Sequence, residues 1–388
     1  MTLKEKDLTF MEAAAIVAGY GVGSGIMAVP YLASLAGPGA LLGATVLGYG
    51  LSLLLHLMIA EMMFRDEGCA QLVEILGKYL FRGRWGPFFT WTFFGLILLA
   101  FFGTLTGYLA GGGEILVELT GLPMKLGDTI FYLLASILVL YGLKAVGISE
   151  KYAVLVMAAV VLILVAASLG RPWRLELSAY GGAKKSLALF GMIMFCFYSL
   201  FSIPQAVRGL AWNQRLVPWA VAVGLGFNLV FTLVIALAAM SVSTEVTRIA
   251  MLGWGDALGA WAKIPGAVFV LLALLTSFWS ISLALSVILQ ERLKWNNKLA
   301  WLAATLPSFL MALTGYTDFL GYLRLTGGLV AVLVALTLVP AYSIIRGRGV
   351  KKNPAWSLGS LGSWPVLGLV LLGYLLSVVG SALPIDQP

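Results

Sequence analysis

Long apolar runs broken by short polar stretches dominate the chain from end to end. A helix that crosses a bilayer needs about 20 apolar residues. Eleven stretches meet that measure: 9–35, 39–64, 87–110, 127–147, 152–170, 186–208, 217–241, 264–290, 298–315, 320–345 and 362–383. Two of the connections carry patterns of their own. Segment 68–82 has apolar residues at Leu72, Val73, Ile75, Leu76, Tyr79 and Leu80, which predicts an amphipathic helix lying on the inner surface. Segment 242–263 is too long and too patterned for a plain loop and predicts a helical lid, with Gly253 and Gly255 at its turn.

The first span breaks its own pattern. It opens with Thr9 and Glu12, the T-x-x-E of a capping box, and then places glycines at 19, 21, 23 and 25 before Pro30. Each glycine costs a helix about 1 kcal/mol relative to alanine. Gly19-x-x-x-Gly23 and Gly21-x-x-x-Gly25 match a close-packing motif. Successive glycines two residues apart, however, lie about 200° apart around a helix, on both sides rather than on one face. The alternation therefore favours an interrupted helix over a packing stripe. A break at membrane depth frees N–H and C=O groups that must meet protein, water or ligand. The half-helix after the break turns its first amides toward an anion such as a carboxylate, and the carbonyls before it can hold a cation. Secondary transporters bind their substrates by this logic, and it predicts a second break five spans later. Span 6 has Gly191, the cluster Phe195, Cys196, Phe197, Tyr198 and Ser199, and Pro204, which removes a helical hydrogen bond. In span 8, Ala273, Thr276 and Ser277 share one helix face and offer a carbonyl and two hydroxyls to a small hard cation, which prefers oxygen ligands. On that motif alone, hydroxyls bonding back to carbonyls one turn earlier explain the pattern equally well.

Composition agrees with a polytopic membrane protein: 61% of the 388 residues are hydrophobic and 11% charged, where water-soluble domains carry about 25% charge. The net charge of +8 raises the question of nucleic acid. The basic residues answer it by their placement. With the N-terminus inside, seventeen of the 25 Lys and Arg fall on inner segments, the positive-inside pattern. We therefore expect a multi-pass plasma-membrane protein with a cytoplasmic N-terminus, an extracellular C-terminus, the lipid bilayer as partner and no nucleic acid. The charged start MTLKEKDL and the long run behind it do not read as a cleaved signal. One His and two distant Cys argue against a His/Cys metal site or a disulfide framework. No H-E-x-x-H and no paired intramembrane carboxylates are present, so an enzyme is not expected.

These residues resemble the amino acid/polyamine/organocation superfamily, which has the LeuT fold, and within it the amino acid/auxin permease branch with its sodium-coupled neutral amino acid transporters. The resemblance covers spans 1–10 as a five-plus-five inverted repeat with broken spans 1 and 6, in a single transmembrane domain of all-α class, with span 11 (362–383) peripheral. It implies a substrate carboxylate at the amides of Gly23, Ser24 and Gly25, and a substrate amino group at carbonyls near Tyr20 and along Phe195, Cys196, Phe197 and Ser199. It also implies a sodium ion held by Gly19, Val22, Ala273, Thr276 and Ser277. Met27, Phe101, Phe195, Phe197 and Ile281 would line an apolar pocket, and a buried unpaired charge is costly. The expected activity is sodium-coupled symport of neutral, hydrophobic amino acids by a monomer, with no cofactor beyond the coupling ion. The alternatives are a proton-coupled permease or an exchanger of the same fold. Tyr20 stands where some relatives have the Asn of a second sodium site. Proton-coupled relatives place a Lys within span 5, and none stands here between Lys151 and Lys184. Glu61 and Arg65 are spaced for an inner-edge ion pair. His56 reads as a helix-packing residue, and Asp318 with Arg324 as a candidate outer gate.

Overall fold

The first apolar run forms two helices rather than one. In the computed structural model, α1 (Phe10–Gly21) starts at Thr9, whose hydroxyl accepts from the Glu12 amide while the Glu12 carboxylate accepts from the Thr9 amide. The chain then leaves helical geometry at Val22 and Gly23, and α2 (Ser24–Ala36) departs with a bend of 53°. The structure describes residues 7–66, 71–173, 175, 180–243, 245–247, 250–315 and 319–383.

The other regular elements are all helices, and the described residues contain no strand. In order come α3 (Pro38–Arg65), α4 (Leu72–Tyr79), α5 (Gly86–Thr120), α6 (Met124–Val139), α7 (Leu143–Ser168), α8 (Ala183–Cys196), α9 (Ser202–Gly209) and α10 (Val217–Val242). They are followed by α11 (Ala250–Leu258), α12 (Ala260–Leu293), α13 (Asn297–Ala312), α14 (Phe319–Leu333), a π turn at Val334–Leu338, α15 (Val339–Arg348) and α16 (Trp364–Ala382). Among the described residues, seven helices are long and apolar enough to cross a membrane, and the bent α1–α2 pair makes eight. The 16-residue α6 and α13 and the broken α8–α9 pair stand at the three remaining expected spans.

Packing reveals the repeat. α1 lies against α10, and α8 lies against α3, so span 1 meets span 7 as span 6 meets span 2. α5 packs on α6 and α14, and α12 packs on α13 and α7. Span 3 thus meets spans 4 and 10 as span 8 meets spans 9 and 5. Every contact in each set maps onto the other by a shift of five spans, the arrangement of a LeuT-like five-plus-five transporter fold.

Four local expectations are revised. Spans 4 and 5 were separated at 148–151, but the turn comes earlier, at Tyr141 and Gly142, where Gly142 adopts φ +80. Residues 148–151 belong to α7. The segment after span 2 does form an amphipathic helix, α4, yet its apolar face is buried against α5 and α15 rather than laid on lipid. Glu74 and Lys78 tie it to Arg292 and Asp66. The lid is helical as α11, but Gly253 and Gly255 sit inside it and the turn is Gly259, at φ +116. Gly255 instead lets α11 close on α12, since a Cβ there would lie 3.0 Å from the Ala262 carbonyl. Finally, α16 is more than a peripheral span. It packs on α8, α14 and α3, and its buried Tyr374 stacks on Tyr198 at 5.9 Å. The inner-edge pair is present, with Arg65 2.7 Å from Glu61. Asp318 and the side chain of Arg324 lie outside the described residues.

Candidate substrate and ion site

The two helix breaks face each other in the middle of the bundle. In span 1 the four glycines admit a different neighbour on each side. A Cβ at Gly19 would stand 2.7 Å from a Glu150 carboxylate oxygen and 3.2 Å from Thr276. One at Gly21 would meet Asn228 and the Cys196 carbonyl, and one at Gly23 would meet Ser277 and Tyr108. At Gly25 it would lie 2.8 Å from the Cys196 sulfur and 3.1 Å from Phe195. No side chain fits at any of them without displacing α7, α8, α10 or α12. The break also leaves the Ser24 and Gly25 amides at the head of α2 with no acceptor inside their own helix, while the Ile26 amide donates to the Gly23 carbonyl at 3.3 Å. Gly23 stands at the N-cap and makes no side-chain cap.

The break in span 6 is built differently. α8 ends at Cys196 and α9 begins at Ser202, so Phe197–Phe201 is irregular backbone at membrane depth. Polar side chains from other helices satisfy it. His56 of α3 accepts from the Ser199 amide through Nε2 at 3.0 Å, while its Nδ1 donates to the Ser52 carbonyl at 2.6 Å. The Ser199 hydroxyl donates to the Val17 carbonyl of α1 at 2.8 Å, and Asn228 of α10 donates to the Cys196 carbonyl at 3.4 Å. Pro204 sits in the first turn of α9, where its missing amide costs nothing.

Between the breaks lies a cavity. Tyr20, Gly21, Gly23 and Gly25 form its span 1 wall. Phe93, Ile97, Phe101, Thr104 and Tyr108 of α5 form a second wall. Phe195, Tyr198 and Phe201 come from the span 6 break, Ile281 from α12, and Val334, Thr337 and Leu338 from the π turn. Phe101 and Phe201 bridge two walls with ring centroids 4.7 Å apart. A π turn at a cavity wall is a frequent companion of ligand sites.

Of the residues expected at the substrate, Tyr20, Gly23, Gly25, Phe101, Phe195 and Ile281 line this cavity. Ser24 supplies the first backbone of α2, and its side chain lies outside the described residues. Four others do not line the cavity. Met27 is fully buried, two residues on from the cavity-lining Gly25 and so on the opposite side of α2. The Cys196 sulfur is bonded back to Met192 at 3.3 Å. Phe197 packs on Tyr49, at 6.1 Å, and beside Gly48. Ser199 is turned toward α1 and His56. The backbone turns tightly here, with the Tyr198 amide on the Phe195 carbonyl and the Ser199 amide on the Phe197 carbonyl, and it brings Phe195, Tyr198, Leu200 and Phe201 to the cavity.

The expected ion ligands meet where α1 passes α12. Ser277 donates to the Gly19 carbonyl at 2.8 Å and lies 3.5 Å from the Tyr20 carbonyl. Thr276 donates to the Ala273 carbonyl at 3.0 Å. Val22 closes α1 at its C-cap. The two hydroxyls of the set donate to two of its own carbonyls, those of Ala273 and Gly19. Sequence reasoning missed Glu150, which touches this set from α7. It also missed Asn228 and the π turn. Glu150 shares its helix face with Gly147, Val154 and Met157, all buried, so a helix begun at residue 143 would have marked it.

The fold has known counterparts. The chain is similar to a solved structure of MHP1, a nucleobase-cation-symport-1 family transporter, with 16% identity, a TM-score of 0.65, and coverage of 96% of this chain and 90% of that one. It is similar to the Eremococcus coleocola manganese transporter at 16% identity, with a TM-score of 0.67 and coverage of 96% and 86%. These likenesses concern the fold. No curated protein matches by sequence. Residues 6–380 match the tryptophan/tyrosine permease family, where the sequence motifs had suggested the amino acid/auxin permease branch. With its helices, its two facing breaks and that match along nearly its whole length, this chain belongs to the tryptophan/tyrosine permease family, multi-pass membrane transporters of LeuT-like fold.

Proposed function

We propose that this protein is a cation-coupled symporter of aromatic amino acids, working in the plasma membrane with its N-terminus in the cytoplasm and its C-terminus outside. One observation carries the reading: a single cavity joins the uncapped N-terminus of α2 to a wall of Phe93, Phe101, Phe195 and Phe201. The amides would take the substrate carboxylate, and the aromatic wall would take an aromatic side chain by edge and stacking contacts. A charged side chain would find no counter-ion among these rings and would be costly to bury. The family to which the chain belongs carries tryptophan and tyrosine in its name, which agrees with this wall.

For the coupling ion we take sodium first, held by the carbonyls of Gly19, Val22 and Ala273 and the hydroxyls of Thr276 and Ser277. The contact between Ser277 and Gly19 supports this reading, because a cation there would bond span 1 to span 8 at the edge of the substrate site. A proton is the second reading, favoured by the buried Glu150 carboxyl beside the same oxygens.

Thermal unfolding of the purified protein tests the proposal. Each amino acid is added in sodium and in potassium, at two pH values. A ligand that binds only the folded state raises stability by mass action, about 2.7 kcal/mol at a hundred times its Kd. Tryptophan, tyrosine or phenylalanine should stabilise most, and aspartate and lysine not at all. Stabilisation by charged amino acids in preference to aromatic ones would overturn the substrate reading.

A further inference from the structure

The geometry points to Glu150 as the residue that supplies the negative charge of the coupling site: its free carboxyl oxygen joins the shell of a sodium ion when substrate loads. This rests on the symporter reading above. Glu150 is 0% exposed and stands where α7 packs on both α1 and α12. One carboxyl oxygen accepts from the Ser280 hydroxyl at 2.5 Å. The other is buried and has no hydrogen-bond partner. That free oxygen stands against Gly19, where a Cβ would lie 2.7 Å from it and 3.2 Å from Thr276, and both residues belong to the expected ion set.

A carboxylate with a free oxygen in such a place is not tolerated for long. Taking an unpaired charge out of water costs several kcal/mol even after relaxation, and ionisable groups inside a membrane protein mark ion paths for that reason. Positive partners nearby are already engaged. On α1, Glu12 holds Lys144 at 2.6 Å. On α9, Arg208 pairs with Glu291 of α12, and Arg292 pairs with Glu74 at 3.2 Å. Lys151 lies on α7 itself, with its ammonium 4.8 Å from the Tyr152 ring rather than on Glu150. On α11, Asp256 pairs with Lys263 at 3.0 Å. α10 carries no charged residue, and Lys125 and Asp128 of α6 stand at that helix's opposite end. Tyr132 of α6 bonds Thr305 at 3.3 Å, and Tyr20 of α1 faces the substrate cavity. A cation from solution is what remains to neutralise the free oxygen.

The position suits coupling. Gly19 lies in the last turn of α1, three residues ahead of the break, so a cation on Glu150 acts on the helix end that shapes the substrate site. Ser280 links the acid onward, because its carbonyl accepts from Gln205 of α9 at 3.1 Å. Neutralising Glu150 is thereby felt in both broken spans.

Tryptophan uptake into proteoliposomes tests this, with an inward sodium gradient in one arm and an inward proton gradient in the other, in wild type, E150Q and E150D. The wild type should concentrate tryptophan in the sodium arm; accumulation in the proton arm alone overturns the inference and gives the coupling to a proton. E150Q should show an accumulation ratio of about 1 in both arms, since coupling free energy vanishes with the site that binds the second ligand. Whatever tryptophan exchange E150Q retains should no longer respond to either cation. If E150Q is not recovered folded, E150D decides: the shorter side chain should shift the cation concentration that half-saturates uptake by roughly tenfold. E150Q concentrating tryptophan as the wild type does, or E150D showing no shift, overturns the inference and leaves the symporter reading intact. Wild type that exchanges tryptophan with no response to either gradient also overturns it, and the cation coupling with it, but keeps the substrate. Wild type that moves no aromatic amino acid at all ends the functional reading itself, and this inference with it.

Discussion

Two helix breaks meet at the centre of this molecule, and they are made from opposite materials. The break in α1–α2 uses glycine: it removes side chains so that α7, α8, α10 and α12 can approach on every side, and it leaves the α2 amides open toward the cavity. The break in α8–α9 uses large side chains and is tied down by polar groups from elsewhere, His56, Asn228 and the Val17 carbonyl. Irregular backbone at membrane depth is tolerated only where its groups are satisfied or line a cavity. Span 6 takes the first course and span 1 the second. One break is therefore a fixed wall and the other a receptor for charge.

That contrast can be broken at either end. The largest effect should come from Gly21→Val, whose Cβ would fall 2.6 Å from the Cys196 carbonyl. Backbone cannot yield as a side chain can, so the cost should reach or exceed about 1–3 kcal/mol, read as a lower Tm and loss of tryptophan-dependent stabilisation. A Tm like that of the wild type would show that the breaks are not in contact there. His56→Ala should come next. It strands the Ser199 amide in the bundle, at about 1–3 kcal/mol, and lowers the Tm whether or not substrate is present. If it weakened tryptophan binding without changing the unliganded Tm, span 6 would be part of the receptor and not a wall.

Smaller effects sharpen the picture. Phe101→Ala removes one ring of the 4.7 Å pair with Phe201. Tryptophan should then bind roughly tenfold more weakly, the equivalent of about 1.4 kcal/mol, with a smaller loss for leucine. Equal losses for both, measured by titration, would mean that the wall does not select for aromatic rings. Ser277→Ala deletes the hydroxyl on the Gly19 carbonyl and should cost about 1 kcal/mol in stability, while raising the cation concentration needed for half-maximal uptake. Lys263→Ala, in an ion pair exposed on both sides, should leave the Tm and uptake unchanged within about 0.5 kcal/mol.

The glycines of span 1 were readable in sequence as either an interruption or a packing motif, and the structure makes them both. Alternation at every second position looks wrong for packing on one partner, but α1 has partners on all sides. Glu150 was hidden by a boundary. The run Ile148, Ser149, Glu150, Lys151 reads as a polar connection when charge is taken to mean surface, and this set the expected turn nine residues late. Gly142, with its positive φ, was the true signal. Likewise Cys196, Phe197 and Ser199 were placed at the substrate because they lie in the break. Which of them faces the cavity depends on how the backbone turns between α8 and α9, and His56 and Asn228 hold that turn from other helices.

By itself, then, the sequence determined what is local and repetitive: the order of apolar spans, the capped start at Thr9 and the glycine break, and with them the LeuT-like fold but not the family within it. Apolar length and glycine content act on the chain where they stand, so they can be read in one dimension. Tertiary structure alone decided which face of each span looks inward, that α16 packs against the site through Tyr374, and that one carboxyl from α7 ends beside Gly19 and Thr276. Those outcomes depend on the meeting of helices more than a hundred residues apart, and a buried polar atom has meaning only through the neighbours that do or do not satisfy it.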